Sequence, residues 1–128
     1  MGSENGGELR GWGRVEEAGR EGTKRLPNGQ YIPTPLVHRT NPDFRRAFDK
    51  LPHHIKEEAS KRHRLLESDP GALKLNLRNP FDIVWRVEVG HGYRAVGAMY
   101  DWGVIVWLWI GPHDDYEALL DDLRAHLT

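Results

Sequence analysis

Between Phe81 and Ile110 the chain reads FDIVWRVEVGHGYRAVGAMYDWGVIVWLWI, three apolar stretches separated by two glycine-containing breaks. In the first stretch Ile83, Trp85, Val87 and Val89 alternate with Val84, Arg86 and Glu88, the period-two pattern of a strand with two unlike faces. Gly90-His91-Gly92 turns it back into YRAVGAMY, and Asp101-Trp102-Gly103 turns that into Val104 to Ile110. This last stretch is apolar on both faces, so it must be central or well covered. By simple alternation Trp107 and Trp109 share one face, while Val106, Leu108 and Ile110 share the other.

The register of the first hairpin decides where the charges go. A three-residue loop, Gly90 to Gly92, puts Val89 opposite Tyr93, Glu88 opposite Arg94 and Arg86 opposite Val96. A two-residue loop pairs Val89 with Arg94 and mixes apolar and charged residues on each face, which a sheet with one buried side resists. In the favoured register Arg86, Glu88 and Arg94 project together, away from Trp85, Val87 and Tyr93. Such a trio taken alone is most often a solvated cross-strand ion pair.

Upstream, YIPTPLVHRT carries two prolines around a short extended segment, and Leu36 to Arg39 reads as an edge strand. Asn41 is placed as an N-cap with Pro42 at the first helical position, and Phe44, Ala47, Phe48 and Leu51 share a helix face. Pro52 interrupts, after which Ile55, Ala59, Arg62 and Leu66 continue a one-sided pattern; the two helices are expected to form an antiparallel hairpin. Leu73, Leu75 and Leu77 alternate with polar residues and predict a strand that Asn79-Pro80 ends. At the C-terminal end, HDDYEALLDDLRAHLT places Tyr116, Leu119, Leu120, Leu123 and Leu127 at helical spacing. The fold class is therefore α+β, an antiparallel four- to five-stranded sheet with an N-terminal helical hairpin and a C-terminal helix. Residues 1–30, rich in glycine and in charges of both signs with no sustained apolar period, read as a flexible tail ahead of one domain over 31–128.

Several function classes fall away. The chain has no Cys, hence no disulfide framework, thiolate metal site or cysteine nucleophile, in keeping with a cytoplasmic setting. Its longest apolar run is too short to span a bilayer, and neither a targeting signal nor a lipid anchor is expected. The formal net charge of −1 conceals an uneven distribution. Basic residues outnumber acidic ones between Arg39 and Arg94, whereas Asp114, Asp115, Glu117, Asp121 and Asp122 follow against Arg124 alone. His113, Asp114 and Asp115 are a weak set of metal ligands, because neighbouring side chains diverge and His53-His54 lie about 100° apart on a helix. No metal or cofactor is expected, and no small-molecule ligand.

The last strand ends at Gly111-Pro112, so His113 arrives at the sheet margin where a helix begins and unpaired N–H groups attract anions. Asp114 and Asp115 suit the first turn of that helix as they stand. His113 is equally a capping residue or a reactive one.

The run VWRVEVGHGYRAVG…VIVWLWIGPHDDYEALL, preceded by FRRAFDKLPHHIKEEASKRHRLLESDP, resembles the RelE/ParE superfamily of bacterial toxins from type II toxin–antitoxin pairs. The resemblance covers roughly Leu36 to Leu127, with YRAVG and WIGPHDDY its most specific pieces. It implies a small sheet-and-helix toxin that cuts mRNA at the ribosome and inhibits translation, with a cognate antitoxin as partner. In that reading Arg94 matches the family's phosphate-contacting arginine and Arg86 adds a second. His113 falls where one branch places its general acid/base, and Tyr116 orients substrate or stacks a base. Glu88, and His91 in the loop, are second-tier candidates. The alternatives are a gyrase-directed toxin, which needs no acid/base pair, and a non-toxic antitoxin-binding module of the same fold. Near-neutral charge and an acidic last helix depart from the strongly basic character expected of ribosome-dependent members.

Overall fold

The structure, a computed structural model, describes residues 22–127. The expected tail over residues 1–21 lies outside the described residues. Residues 22–30, assigned to the same tail, instead enter the fold. Strand β1 (Gly22–Arg25) pairs antiparallel with β2 (Tyr31–Thr34), Gly22 opposite Thr34 and Arg25 opposite Tyr31. Leu26 N–H donates to the Gln30 carbonyl at 2.7 Å, and Gly29 closes the turn at φ 92°. Leu26 and Ile32 are buried in the main core. A single leucine between Lys24-Arg25 and Pro27-Asn28 has no period, so composition there reads as a tail.

Five further strands form one sheet in the order β3-β7-β6-β5-β4. They are β3 (Val37–Thr40), β4 (Arg78–Phe81), β5 (Val84–Gly90), β6 (Tyr93–Asp101) and β7 (Val104–Pro112). The meander β5-β6-β7 is antiparallel as expected. The sheet as a whole is mixed, because edge strand β3 runs parallel to β7, Val37 opposite Val104 and Thr40 opposite Trp107. Parallel neighbours need a long crossover, which here is everything from α1 to β6. Nothing in a four-residue strand signals its direction, so the purely antiparallel expectation was wrong for this one pairing.

Helix α1 (Pro42–Asp49) starts as the sequence predicts: Phe44 N–H donates to the Asn41 side-chain oxygen at 2.8 Å, with Pro42 in the first turn. Helix α2 (His53–Ser68) follows Pro52 and buries Ile55, Ala59, His63 and Leu66. The two do not close against each other as a hairpin: α1 packs on β7 and α2 on β5. Their apolar stripes, Phe44 and Phe48 on one and Ile55, Ala59 and Leu66 on the other, enter a single core with Trp85, Val87, Val89, Ile105, Trp107 and Ile110. Burying both stripes on a sheet removes more apolar surface from water than pairing two narrow stripes with each other. Among the described residues no helix is long and apolar enough to cross a membrane.

Leu73, Leu75 and Leu77 do not form the predicted strand. Leu73–Leu75 is a 3-10 turn, Leu73 is 80% exposed, and Asn76 follows in the left-handed region at φ 45°. Three residues per turn put Leu73 and Leu75 in different directions, and the strand comes one step later as β4, running through Asn79-Pro80 at the sheet edge where Pro is tolerated.

The opposite face of the sheet is covered by α3 (His113–Leu127), which packs Tyr116 and Leu120 on Val84 and Val96, with Trp109, Leu119, Leu123 and Phe81 around them. Trp107 and Trp109 therefore lie on opposite faces, not on one. The register passes from Val96 opposite Trp109 to Gly97 opposite Trp107, so Leu108 is an extra residue that resets the alternation. Gly97 makes room for this: a β-carbon there would stand 2.9 Å from Ile105 Cγ1 and 3.0 Å from Trp107 Cε3. Gly97→Ala should lower stability by about 1–3 kcal/mol, the usual result of overpacking. Urea denaturation measures it, and an unchanged midpoint would contradict the bulged packing.

Candidate functional site

The charged residues of the β5-β6 hairpin lie on the α3 face. Glu88 pairs with Arg94 and Arg86 with Val96, the register that the sequence favours. The turn achieves it differently. His91 and Gly92 form a two-residue turn with φ of 40° and 83°, the positive pair that a tight hairpin requires, and Val89 is taken up as a bulge so that Gly90 stands opposite Tyr93. Two-residue turn plus bulge gives the same facing as a three-residue loop. His91 is exposed in this turn.

Asn76 was not foreseen, and it links most of the charged residues. Its side-chain amide donates to Glu88 Oε2 at 2.8 Å, its backbone carbonyl accepts from Arg86 Nη1 at 3.2 Å, and its Oδ1 accepts from Arg78 Nε at 2.9 Å. The sole signal available in the sequence was an Asn between two leucines, a residue type that tolerates the left-handed region. Arg62 of α2 fixes the same corner from behind, donating to the backbone carbonyls of Lys74 and Glu88 at 2.8 and 3.2 Å.

Arg86 is buried, its guanidinium 3.5 Å from Glu88 Oε2. Burial is the main force lowering its pKa, aided by the like charges of Arg94 and Arg78 and opposed by Tyr116 and Glu88. Arg94 is more open. Its Nη2 lies 3.6 Å from Glu88 Oε2, and its guanidinium sits 4.8 Å from the centre of the Tyr116 ring. Tyr116 is buried by α3, and its other neighbour is His113, whose ring is stacked at 6.2 Å with 29° between planes.

His113 itself is exposed in the first turn of α3, and its backbone N–H donates to the Gly92 carbonyl at 2.6 Å. That bond ties the start of α3 to the hairpin turn. The five residues singled out from the sequence thus fall into a connected set. Arg86, Glu88 and Arg94 form an ion-pair chain; Tyr116 touches Arg94; His113 touches Tyr116. Asp114 and Asp115 sit in the first turn, where their charge complements the helix dipole. Among the described residues no group of three His, Cys, Asp or Glu side chains is arranged to hold a metal ion.

The architecture is that of a small α+β protein with a five-stranded mixed sheet, two helices on one face and a third on the other. Within that class it has the fold of RelE. The chain is similar to a chain of the RelB–RelE antitoxin–toxin complex from Methanococcus jannaschii, with a TM-score of 0.50 and 16% identity over 62% of this chain and 95% of that one. It is also similar to a chain of the RelE–RelB complex from Pyrococcus horikoshii OT3, with a TM-score of 0.45 and 19% identity over 58% of this chain and 90% of that one. No protein-family model matches, and no curated protein matches by sequence.

The two hairpin arginines should differ in what they hold up. Arg86→Ala removes a buried side chain and leaves the Asn76 carbonyl without its donor, while Glu88 keeps Asn76 and Arg94, and is expected to lower stability by about 2 kcal/mol. Arg94→Ala, at a partly exposed pair, should lower it by no more than about 1 kcal/mol. Urea denaturation of both variants checks the ordering; a larger loss for Arg94→Ala contradicts it.

Proposed function

We propose that this protein is a RelE-type toxin of a toxin–antitoxin pair, an endoribonuclease that cleaves mRNA at the ribosome and is neutralised by a cognate antitoxin in the cytoplasm. The observation that carries the reading is the Tyr116 ring, against which a guanidinium, Arg94, and an imidazole, His113, both pack.

The reaction is transfer of a phosphodiester to the neighbouring 2′-hydroxyl. A bond forms between the 2′-oxygen and phosphorus, the bond from phosphorus to the 5′-oxygen breaks, and the products are a 2′,3′-cyclic phosphate and a 5′-hydroxyl. One proton leaves the 2′-hydroxyl and one joins the departing 5′-oxygen. Arg94 holds the phosphate, since a guanidinium presents paired donors to an anion and retains its charge. Arg86, fixed by Asn76 and Glu88, adds positive potential from beneath. His113, exposed at the margin, is the proton carrier suited to neutral pH. Glu88 is the cluster's second proton-transfer group, and Tyr116, buried beneath the cluster, orients Arg94 instead of stacking a base.

A second reading, a toxin that acts by binding gyrase or a module that only binds an antitoxin, is favoured by the net charge of −1 and by the acids along α3. It needs no proton carrier. Expression of His113→Ala and of Arg94→Ala separates the readings. Each substitution is expected to lower mRNA cleavage by about 10²-fold or more and to relieve growth inhibition. Undiminished toxicity in both variants rejects the assigned site. A DNA-damage response without mRNA cuts supports the gyrase reading, and harmless expression of the unaltered protein supports the binding module.

A further inference from the structure

Glu88 is the natural competitor for any phosphate that approaches Arg94, because its carboxylate is an anion already in reach of both hairpin arginines. The distances show how this competition is held off. The guanidinium contacts of Glu88 Oε2 are long, 3.5 Å to Arg86 and 3.6 Å to Arg94, outside the usual N–H···O range. The short bond, 2.8 Å, comes from the Asn76 side-chain amide. Asn76 also holds Arg86 through its carbonyl, so both partners that flank Arg94 are tethered to one residue. Among the described residues the contacts of Arg94 are the long ion pair and the Tyr116 ring, neither of which takes a short hydrogen bond from its guanidinium, and its side chain is 20% exposed.

We propose that Asn76 is a positioning residue that draws the Glu88 carboxylate away from Arg94 and so keeps the phosphate-binding guanidinium vacant. The inference rests on the reading of Arg94 as the phosphate contact. Without the Asn76 amide, the nearest strong donors for Glu88 are the guanidiniums. The carboxylate then closes on Arg94 and occupies the place of a phosphate. The left-handed backbone at Asn76 allows its carbonyl, which holds Arg86, to be separated from its side chain, which bonds Glu88 and Arg78. Asn76→Gly keeps that conformation at no steric cost, and with it the carbonyl bond to Arg86, while removing only the side chain. Asn76→Asp keeps the shape but turns a carboxylate toward Glu88, pushing it the same way.

The test is binding of an eight-nucleotide single-stranded RNA with 2′-O-methyl riboses, which cannot be cut, followed by fluorescence anisotropy. In parallel, the Arg94 Nε–H resonance is followed during titration with inorganic phosphate. Asn76→Gly and Asn76→Asp are expected to weaken both by about tenfold, with the urea midpoint of Asn76→Gly little changed. Adding Glu88→Gln to Asn76→Gly should restore binding, because a neutral amide no longer competes; a purely structural role for Asn76 predicts no such rescue. Wild-type binding in Asn76→Gly, or failure of Glu88→Gln to restore it, overturns the proposal while leaving the RNA reading intact. Loss of phosphate response together with a protein that never cuts RNA removes the functional reading and keeps the positioning role. Absence of any phosphate response at Arg94 in the unaltered protein removes both.

Discussion

Strand β7 carries apolar side chains on both faces, and a strand of that kind has to be covered twice. On one side Ile105, Trp107 and Ile110 lie in the main core with α1 and α2; on the other Trp109 joins the smaller core beneath α3. The bulge at Leu108 is what sends the two tryptophans to opposite faces, and Gly97 is what admits the bulge. With β6 along one edge and β3 along part of the other, β7 is a central strand that meets α1 on one face and α3 on the other. Because α3 leaves directly from its end, the position of His113 follows from the covering of β7.

The charged cluster has a different energetic character. Desolvating a guanidinium and a carboxylate costs several kcal/mol each, and their attraction offsets this only where the remaining donors and acceptors are satisfied. Asn76 and the backbone carbonyls supply that satisfaction for Arg86 and Glu88. Only Arg86 is largely desolvated, since Glu88 keeps about a third of its side chain in water, so the balance rests on how Arg86 is satisfied. Of the two arginines Arg94 is the more exposed, 20% against 10%, and its contacts are an ion pair and a ring where Arg86 also bonds a backbone carbonyl.

Most of what was legible in the sequence was local. The Asn41 cap, the Pro42 start, the meander and the pairing of Glu88 with Arg94 each follow from residues close together along the chain, where period and turn chemistry act directly. The misses share a cause as well. The parallel pairing of β3, the separate seating of α1 and α2 and the burial of Leu26 are decided by contacts between distant segments, which no local period encodes. Leu73, Leu75 and Leu77 mimic a strand because any alternation does, and the 3-10 turn wins since Asn76 can take a left-handed backbone and bond three charged side chains from there. Hairpin register grouped Arg86, Glu88 and Arg94, and the resemblance added His113 and Tyr116, but the network was not legible: Asn76, which holds Arg86 and Glu88 from behind, had no motif to announce it.

Tyr116 belongs both to the packing under α3 and to the charged cluster. It is a member of the second core with Val84, Val96 and Leu120, and its ring is also the surface on which Arg94 rests and beside which His113 stacks. A cation held against a largely desolvated ring is anchored more firmly than one in an exposed ion pair, because water competes less for it. Arg94 can thus be held in place without committing its donors to a carboxylate. The same packing that seats α3 on the sheet sets the guanidinium and the imidazole around one ring. The hydrogen bond from His113 to Gly92 then fixes the helix start against the hairpin turn. The candidate cluster is assembled only when α3 is docked, and docking α3 is what the apolar far face of β7 demands.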